Sequence, residues 1–523
     1  MSEPYNKNKD LHVLNKTHNT KIGIVSGLGN KFVTLFMPFI VRTFFIKYIG
    51  IEYAGLTSLY SSILQVLNLV ELGFSSAVVY SMYKPIAERD DATVNALLAF
   101  YKKIYLIIGL IIIVLGLGIL PFLDLFISEE PPKDANLPII FLVFLLNTSL
   151  SYLLYGYKVS LLNANQRTDV INNVGTITTL GVTIAQLLIL FLIPNYYVYI
   201  LLMPVGTIVH NIIISYSVDK MYPQYHCEGF ISETLKKDVW KKVTGLMIQK
   251  VCVVSRNTIQ NILISAYLSL TIVAIYNNYY MILMAVLGIL WLVPTSMLGG
   301  IGNKVQTDTV EENYHNMQKF NCLYMWISTI SAACLLCLFQ PFMELWMGKD
   351  NMFSFSTVIL LVVYYYILKM GDIRSLWVDA VGLYWEIRWR AILEVITNVV
   401  LDIVFIRIWG INGLLIGTIL SLLFVNFFYG GSIPFKYYFG SKKLLSYFMT
   451  QFLHFFIMSV SCISCLFVSI WCENLFGISN LLLIMIMRLS ICIVLPNLFL
   501  YLLLDRTVDF KLARQWVVSK ICH

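Results

Sequence analysis

Long apolar runs restrict the fold of this chain more than any other feature of its sequence. Runs of about 20 mostly apolar residues, enough for an α-helix to cross the hydrocarbon core of a bilayer, recur along the whole 523 residues. Only 13% of the residues are charged, against about 25% in a typical soluble domain. Because backbone groups in lipid must bond within their own segment, such runs fold as helices. The sequence therefore predicts an all-α polytopic membrane protein.

About fourteen transmembrane helices can be placed on these runs. Their intervals are 22–45, 54–82, 104–127, 137–162, 174–193, 196–218, 244–267, 270–302, 320–346, 355–381, 391–408, 412–433, 450–472 and 480–504. They predict an N-terminal tail at 1–21, a six-helix bundle at 22–218, a linker at 219–243, a second six-helix bundle at 244–433, two additional helices at 434–504 and a C-terminal tail at 505–523.

The basic residues between the runs predict the orientation. If the N-terminus is cytoplasmic, 25 Lys and Arg residues fall in cytoplasmic segments and 4 in outside loops, which is the bias of the positive-inside rule. Both termini are then cytoplasmic. Residues 1–20 lack the apolar core of a signal peptide, so the first span is expected to direct insertion. The net charge of +8 is spread over short loops, which argues against a nucleic-acid-binding domain.

The linker at 219–243 has the pattern of a helix that lies on a membrane surface. Leu235, Val239 and Val243 recur at four-residue steps among lysines, and an apolar stripe beneath basic residues suits an anionic lipid surface. We interpret this segment as a cytoplasmic amphipathic connection between two halves.

An internal repeat predicts that the two halves are related. The matches at a shift of 219 or 220 residues are Asn30-Lys31 with Gln249-Lys250, Tyr48 with Tyr267, Tyr60 with Tyr279, Lys84 with Lys304, Glu88 with Asp308, and 120–125 with 340–345. They keep one register over four helices, which favours duplication. Copies of six spans enter the membrane in the same orientation, so we expect a parallel repeat of two bundles around a central cavity.

Glu71 is the single charged residue of the run 54–82. An ionisable side chain at this depth costs about 2.5–3.5 kcal/mol on insertion scales, and it usually faces a bundle interior or a wet cavity. Asn68 and several serines share its helical face. Glu71 and Asn68 are therefore candidates for substrate binding, and Glu71 also for ion coupling. The alternative is that Glu71 is a packing residue bonded to a neighbouring helix.

Eight basic residues fall inside predicted spans and require partners or a ligand. They are Lys31, Arg42, Lys158, Lys250, Arg256, Lys369, Arg374 and Arg488. Lys31 and Lys250 lie in the first helix of each half, and Arg42 follows Lys31 by three helical turns. Cations on both bundles predict a positively lined cavity, and arginine suits phosphate oxygens especially well.

Internal ion pairing is the competing explanation for these charges. Lys158, Lys369 and Arg374 have acidic residues within reach on the same or neighbouring spans, namely Asp372, Asp379, Glu394 and Asp402. Lys158 and Arg374 remain candidate substrate contacts beside Lys31, Arg42, Lys250 and Arg256. Asp379, Glu394 and Asp402 join Glu71 as candidates for ion coupling.

The remaining motifs predict no catalysis, metal or cofactor. The cysteines lie mostly inside apolar segments, without the histidine spacing of a metal site, and are expected to act as small hydrophobic residues. We find no phosphate-cradling glycine loop and no nucleophile elbow. Aromatic clusters such as 276–280 fit interfacial belts, with sugar stacking as the alternative.

Several blocks of sequence resemble a known family. They are 48–56 (YIGIEYAGL), 69–77 (LVELGFSSA), 83–90 (YKPIAERD), 275–280 (IYNNYY), 382–385 (GLYW) and 409–418 (WGINGLLIGT). Together they resemble bacterial polysaccharide-biosynthesis flippases of the Wzx type, within the multidrug/oligosaccharidyl-lipid/polysaccharide exporter superfamily. The resemblance implies twelve core helices plus two, a location in the bacterial cytoplasmic membrane, and an undecaprenyl-pyrophosphate-linked oligosaccharide as substrate. Many relatives have an acidic residue where this chain has Gln260.

The sequence thus predicts a flippase that works by alternating access, with Lys31, Arg42, Lys250 and Arg256 holding the pyrophosphate. Sodium or protons are the expected coupling ions, and other polysaccharide-assembly proteins are expected partners. One alternative is a cation-coupled multidrug exporter of the same superfamily, although buried cations suit cationic drugs poorly. A membrane polysaccharide polymerase or ligase is disfavoured because the outside loops are short, about a dozen residues at most.

Overall fold

The computed structural model describes residues 16–71, 74–505 and 507–521, except for the side chains of 16–25, 28, 70, 241, 242, 244–253, 255, 257, 508, 520 and 521. Most of the described residues are helical, and no strand occurs among them. The chain divides into two compact units, Met1–Val254 and Ser255–His523. The prediction of an all-α polytopic membrane protein is confirmed.

The first unit is built from eight helices and the start of a ninth. They are α1 (Lys16–Tyr48), α2 (Ile51–Leu67), α3 (Phe74–Glu88), α4 (Asp91–Ile119), α5 (Leu137–Leu153), α6 (Val159–Ala164), α7 (Thr168–Leu192), α8 (Tyr196–Met221) and α9 (Glu233–Tyr267). The division between the units falls inside α9. The second part of the predicted linker and the predicted seventh span therefore form one continuous helix.

The second unit contains the end of α9 and ten further helices. They are α10 (Leu270–Leu290), α11 (Leu292–Thr307), α12 (Val310–Met347), α13 (Phe355–Lys369), α14 (Asp372–Val381), α15 (Arg388–Ser421), α16 (Gly430–Pro434), α17 (Leu444–Phe476), α18 (Leu481–Leu504) and α19 (Val508–Ile521). Short π-helices flank α16 at Leu422–Tyr429 and Phe435–Phe439. Helix α19 occupies most of the segment that the sequence presents as a C-terminal tail.

Length and hydropathy identify the membrane-crossing elements. In the described part of the chain, 10 helices are long and apolar enough to cross a membrane, or up to 11 when α5 and α6 count as one bent span. A helix lies in each of the predicted intervals, but the number of about fourteen crossings is not confirmed.

Two of the spans predicted in the first unit are interrupted. Helix α2 ends at Leu67 and passes into a 3₁₀ turn at Asn68–Glu71, and helix resumes at Phe74, so the expectation of one continuous helix over 54–82 is wrong. Helices α5 and α6 meet at an angle of 49°. At that bend Tyr155 has a φ of 55°, and a Cβ on Gly156 would lie 2.2 Å from the Ser151 carbonyl oxygen. A side chain at Gly156 would therefore displace the bend.

The corresponding spans of the second unit are also interrupted. Its second span passes from α10 to α11 at Trp291, and its fourth passes from α13 to α14 at Met370–Gly371. Discontinuous helices at matching places in two halves are typical of transporters, in which they surround the binding sites.

Helix α15 consists of two segments that fold back on each other. Trp409 and Gly410 have non-helical backbone angles, and the φ of Gly410 is 57°, a conformation that a residue with a side chain adopts only with strain. The predicted boundary between spans at 408 and 412 coincides with this kink. The two segments approach so closely that a Cβ on Gly417 would lie 2.6 Å from Asp402 Oδ1.

Candidate functional site

A cavity of about 660 Å³ lies inside the first unit, within the range of ligand pockets, roughly 300–1,000 Å³. Its lining is Glu71, Ser75, Tyr101, Tyr105, Asn147, Ser151, Tyr152, Gly156, Val159, Ser160, Thr178, Thr179, Val182, Thr183, Gln186, Met203, Gly206, Thr207, His210 and Asn211. Most of these residues carry a hydroxyl, amide or phenol group, and no described Lys or Arg is among them. Such a surface offers donors and acceptors at many points and little net charge.

The interrupted helices explain how polar groups come to line a cavity between apolar helices. The 3₁₀ turn that ends at Glu71 and the bend at Gly156 both contribute to the lining. Non-helical backbone at membrane depth is tolerated only where it is buried in protein or faces a water-filled space. The breaks and the cavity are therefore parts of one arrangement.

Three tyrosines form a wall beside Glu71. The rings of Tyr101 and Tyr105 are 4.4 Å apart between centroids, and those of Tyr105 and Tyr152 are 5.3 Å apart. The Tyr105 hydroxyl donates a long hydrogen bond of 3.4 Å to Glu71 Oε1. The wall presents ring edges and faces next to one carboxylate.

Helices α5, α7 and α8 provide the other polar groups. The Thr207 hydroxyl donates to Asn147 Oδ1 at 2.7 Å, and Thr178 Oγ1 lies 3.2 Å from His210 Nδ1. The Thr178 hydroxyl also donates to the carbonyl of Val174 at 2.8 Å. A hydroxyl that donates to its own helix retains its oxygen as an acceptor for a ligand.

Of the predicted site residues in the first unit, Glu71 lines the cavity. Asn68 lies one 3₁₀ turn earlier, and its Oδ1 atom is buried with no hydrogen-bond partner among the described residues. Lys31 is exposed on α1 and takes part in no described ion pair. Arg42 donates to the carbonyl of Ala54 at 3.3 Å. Lys158 is paired, since its Nζ atom lies 2.6 Å from Asp219 Oδ1.

Glu394 is the centre of a buried ion-pair network in the second unit. Arg256 Nη1 donates to Glu394 Oε1 at 2.8 Å, while Arg390 Nη1 and Asn426 Nδ2 donate to Oε2 at 3.1 and 2.9 Å. Arg256 and Glu394 side chains are only 14% and 7% exposed. The geometry thus gives Arg256 an internal partner 138 residues away in sequence.

Asp402 is fully buried and is surrounded by neutral partners. Asn398 Nδ2 donates to Asp402 Oδ2 at 3.0 Å, and the Thr418 hydroxyl donates to Oδ1 at 3.1 Å. Gln260 joins this network, because its Nε2 atom donates to Thr418 Oγ1 at 2.8 Å and its Oε1 atom accepts from Tyr276. Within the described residues Asp402 makes no ion pair. A buried carboxyl in this state is either protonated or able to hold a cation.

The other predicted residues lie in separate environments. Arg374 is buried and donates to the carbonyls of Phe427 and Asn426, both at 3.4 Å, within the π-helical segment. Asp379 is exposed near the end of α14. The Lys250 side chain lies outside the described residues. The described residues include no group of three or more His, Cys, Asp and Glu side chains placed to hold a metal ion.

Sequence reasoning missed most of the cavity lining. Thr207, His210 and Asn211 are spaced by three and four residues in one predicted span, as Thr179, Thr183 and Gln186 are in another. Such spacing places polar side chains on one helical face. This periodicity inside apolar runs was the signal that could have identified the cavity.

The interrupted helices and the polar cavity belong to a polytopic all-α fold, and solved structures of transporters share this fold. The lipid II flippase MurJ in an inward closed conformation matches with a TM-score of 0.62 at 16% identity, covering 92% of this chain and 98% of that chain. An inward-facing multidrug resistance MATE family transporter of the MOP superfamily matches with 0.57 at 13%, covering 75% and 93%. The Vibrio cholerae MATE transporter VcmN in the bent form matches with 0.51 at 14%, covering 84% and 99%. These likenesses show the fold.

The sequence match identifies the family. Residues 22–297, just over half of the chain, match the family described as "Polysaccharide biosynthesis protein". The chain belongs to this family, which confirms the resemblance to polysaccharide-biosynthesis flippases. No curated protein sequence matches the chain.

Proposed function

We propose that the chain flips undecaprenyl-pyrophosphate-linked oligosaccharide units from the cytoplasmic to the outer leaflet of the bacterial cytoplasmic membrane. Its family and its likeness in fold to a lipid II flippase support this proposal. The observation that carries it is the cavity of the first unit, because hydroxyls, amides and tyrosine rings are the groups that bind sugars through hydrogen bonds and stacking.

We assign the glycan and the pyrophosphate of the substrate to different side chains of the protein. The glycan contacts the polar cavity, whereas the pyrophosphate meets cationic side chains while the chain alternates in access. Lys31 is our first candidate for the phosphate, since it is exposed and makes no described ion pair. Arg256 serves this role only by leaving Glu394, and Arg42, Lys250, Lys158 and Arg374 are secondary candidates.

Asp402 is our candidate for ion coupling. Its carboxyl is fully buried among Asn398, Thr418 and Gln260, so a proton or sodium ion that neutralises it would change the packing of α15. Glu394 is less suited, because two guanidiniums already neutralise it. Asp379 is exposed, and Glu71 lies in the cavity itself.

The test is complementation of a bacterial strain that lacks its own flippase and supplies a matching lipid-linked glycan. Thr178→Val and Thr207→Val remove one cavity hydroxyl each with little change in volume. Each lost hydrogen bond is worth about 0.5–1.5 kcal/mol, so we expect surface glycan to fall by roughly 2- to 10-fold per substitution. Ser490→Ala is the matched control, because this exposed hydroxyl also donates to its own helix but lies on α18.

Full export by the double variant Thr178→Val/Thr207→Val, at unchanged protein level, contradicts the glycan assignment. A second candidate function is export of organic cations, and the specific observation in its favour is the carboxylate of Glu71 in a cavity without described Lys or Arg. Resistance of cells to organic cations that is lost in Glu71→Gln, without any effect of the chain on surface glycan, supports that alternative.

A further inference from the structure

A second large pocket lies in the second unit and has the opposite character. It is an apolar groove of about 670 Å³ between α11, α12 and α19. Met297, Ile301, Leu323, Trp326, Trp516 and Val517 are among its walls. A glycan finds almost no hydrogen-bonding partner on such a surface. The groove instead has the properties of a site for a hydrocarbon chain.

The docking of α19 creates this groove. Phe510 and Ala513 are buried in a cluster with Leu500 of α18, and the ring of Phe510 stacks on Trp326 at 5.4 Å. The far end of α19 is less covered, since Trp516 remains 38% exposed. The helix begins four residues after α18 ends, so it starts where the last span leaves the membrane. The groove is therefore at the level of lipid headgroups and upper acyl chains.

Basic side chains lie at the edge of the groove. Lys304 and Arg514 line it, and each has an acidic neighbour: Lys304 Nζ is 3.1 Å from Asp308, and Arg514 Nη1 is 3.7 Å from Asp505. The Thr307 hydroxyl and Lys304 hold the pKa of Asp308 below its ordinary value, so this carboxylate stays ionised. These two cations are thus only partly available to a ligand.

Lys319 differs from both. Its Nζ atom donates to Asn316 at 2.7 Å and lies 4.6 Å from the ring centroid of Phe320 and 5.8 Å from that of Trp516. Phe320 and Trp516 themselves line the groove, and no carboxylate pairs with Lys319 in the described part of the chain. An ammonium held on two rings of the groove wall supplies the charge complementarity for an anionic headgroup.

We propose that this groove binds an anionic phospholipid of the bilayer, with one acyl chain between α11, α12 and α19 and the phosphate against Lys319. Lys304 and Arg514 contribute to the positive edge. Basic pockets at helix ends on one side of a membrane protein have the chemistry that selects anionic lipid headgroups. The inference is independent of the glycan assignment, because no residue of the first unit takes part.

The groove contains its own spectroscopic probe. The full-length protein in detergent is titrated with phosphatidylglycerol or phosphatidylcholine carrying brominated acyl chains, and bromine quenches nearby tryptophan fluorescence. The signal of Trp516 is the difference between the unchanged protein and Trp516→Phe. We expect phosphatidylglycerol to quench this signal at about fivefold lower concentration than phosphatidylcholine, the factor for roughly one basic group near an anionic lipid surface.

Two pairs of variants test separately the binding of the lipid headgroup and the binding of the acyl chain. Lys319→Gln should remove most of the preference for phosphatidylglycerol, whereas Lys511→Gln, at an exposed residue of α19 outside the groove wall, should retain it. Gly300→Leu fills open space in the groove, and Gly299→Leu adds the same side chain beside it, where a Cβ likewise meets nothing within 4 Å. Only Gly300→Leu should abolish quenching of Trp516.

Equal quenching by both lipids in the unchanged protein overturns the proposal, as does equal loss in the two glycine variants. Displacement of brominated phosphatidylglycerol by polyprenyl phosphate at lower concentration than by unlabelled phosphatidylglycerol also overturns it, since the groove would then hold the tail of the transported lipid. Thermal unfolding of each variant identifies misfolding, and Lys319→Gln and Gly300→Leu test the proposal by separate routes.

Discussion

Removing the charge of Glu394 is expected to destabilise the second unit more than removing either cation that it binds. The carboxylate accepts from Arg256 at 2.8 Å and from Arg390 at 3.1 Å, with Asn426 at 2.9 Å. Glu394→Gln leaves two guanidiniums beside a neutral amide in a buried site. Breaking a buried pair in this way costs about 3–5 kcal/mol. Arg256→Gln leaves Glu394 with Arg390 and Asn426, so we expect a smaller loss of about 1–3 kcal/mol.

The double variant Arg256→Gln/Glu394→Gln measures the coupling directly. If the two side chains stabilise each other, its loss is smaller than the sum of the single losses by about 0.5–3 kcal/mol. The free energy of unfolding is measured by denaturation of the purified protein in mixed detergent micelles. Lys349→Gln is the control, because its pair with Glu344 at 3.3 Å involves a lysine side chain that is 80% exposed and is worth about 0–1 kcal/mol.

The outcome also decides the role of Arg256. Additive losses, or a loss for Arg256→Gln as large as that for Glu394→Gln, refute the network as described. Strong coupling in stability together with normal glycan export by Arg256→Gln would remove Arg256 from the substrate site. Strong coupling with lost export would mean that the guanidinium serves both purposes.

Two further predictions concern packing and pH. Gly417→Ala places a Cβ 2.6 Å from Asp402 Oδ1 and should lower the free energy of unfolding by about 1–3 kcal/mol. Gly299→Ala adds a Cβ in open space and should raise the free energy of unfolding by about 0.5–1 kcal/mol. Equal thermal stability of the two variants contradicts the close packing of α15. Burial raises the pKa of the Asp509 carboxyl on α19, so stability is greatest below its unfolded pKa and falls as the pH rises towards the folded value. Asp509→Asn should remove this decrease in stability with rising pH and should be more stable than the unchanged protein at neutral pH. A steeper pH dependence of thermal unfolding in Asp509→Asn argues against the burial of this carboxyl.

The sequence predicted the local features of the fold because their causes are local. Apolar run lengths placed a helix in each interval, and the predicted boundary between 408 and 412 coincides with the turn inside α15. Glu71 is a candidate because it is the single charged residue of the run 54–82, and it lines the cavity. Its 3₁₀ turn was missed, because the polar face around Glu71 fits a continuous helix equally well.

Contacts between distant residues could not be read from the sequence. Arg256 finds Glu394 across 138 residues and Lys158 finds Asp219 across 61, and both pairings depend on how each helix is rotated in its unit. The cavity draws its lining from several helices of the first unit, so no single segment reveals it. The same holds for the groove under α19, which exists only when that helix docks.

The interrupted second span has a consequence for biogenesis. Helix α2 has 17 residues and α3 has 15, and each alone falls short of the roughly 20 residues that cross a bilayer. Neither helix alone is long enough to stop translocation, so the two must enter the membrane together and be retained there by neighbouring helices such as α4. Nascent chains that end shortly after Leu67 should therefore be translocated across the membrane or degraded, whereas chains that include α4 should stay in the membrane.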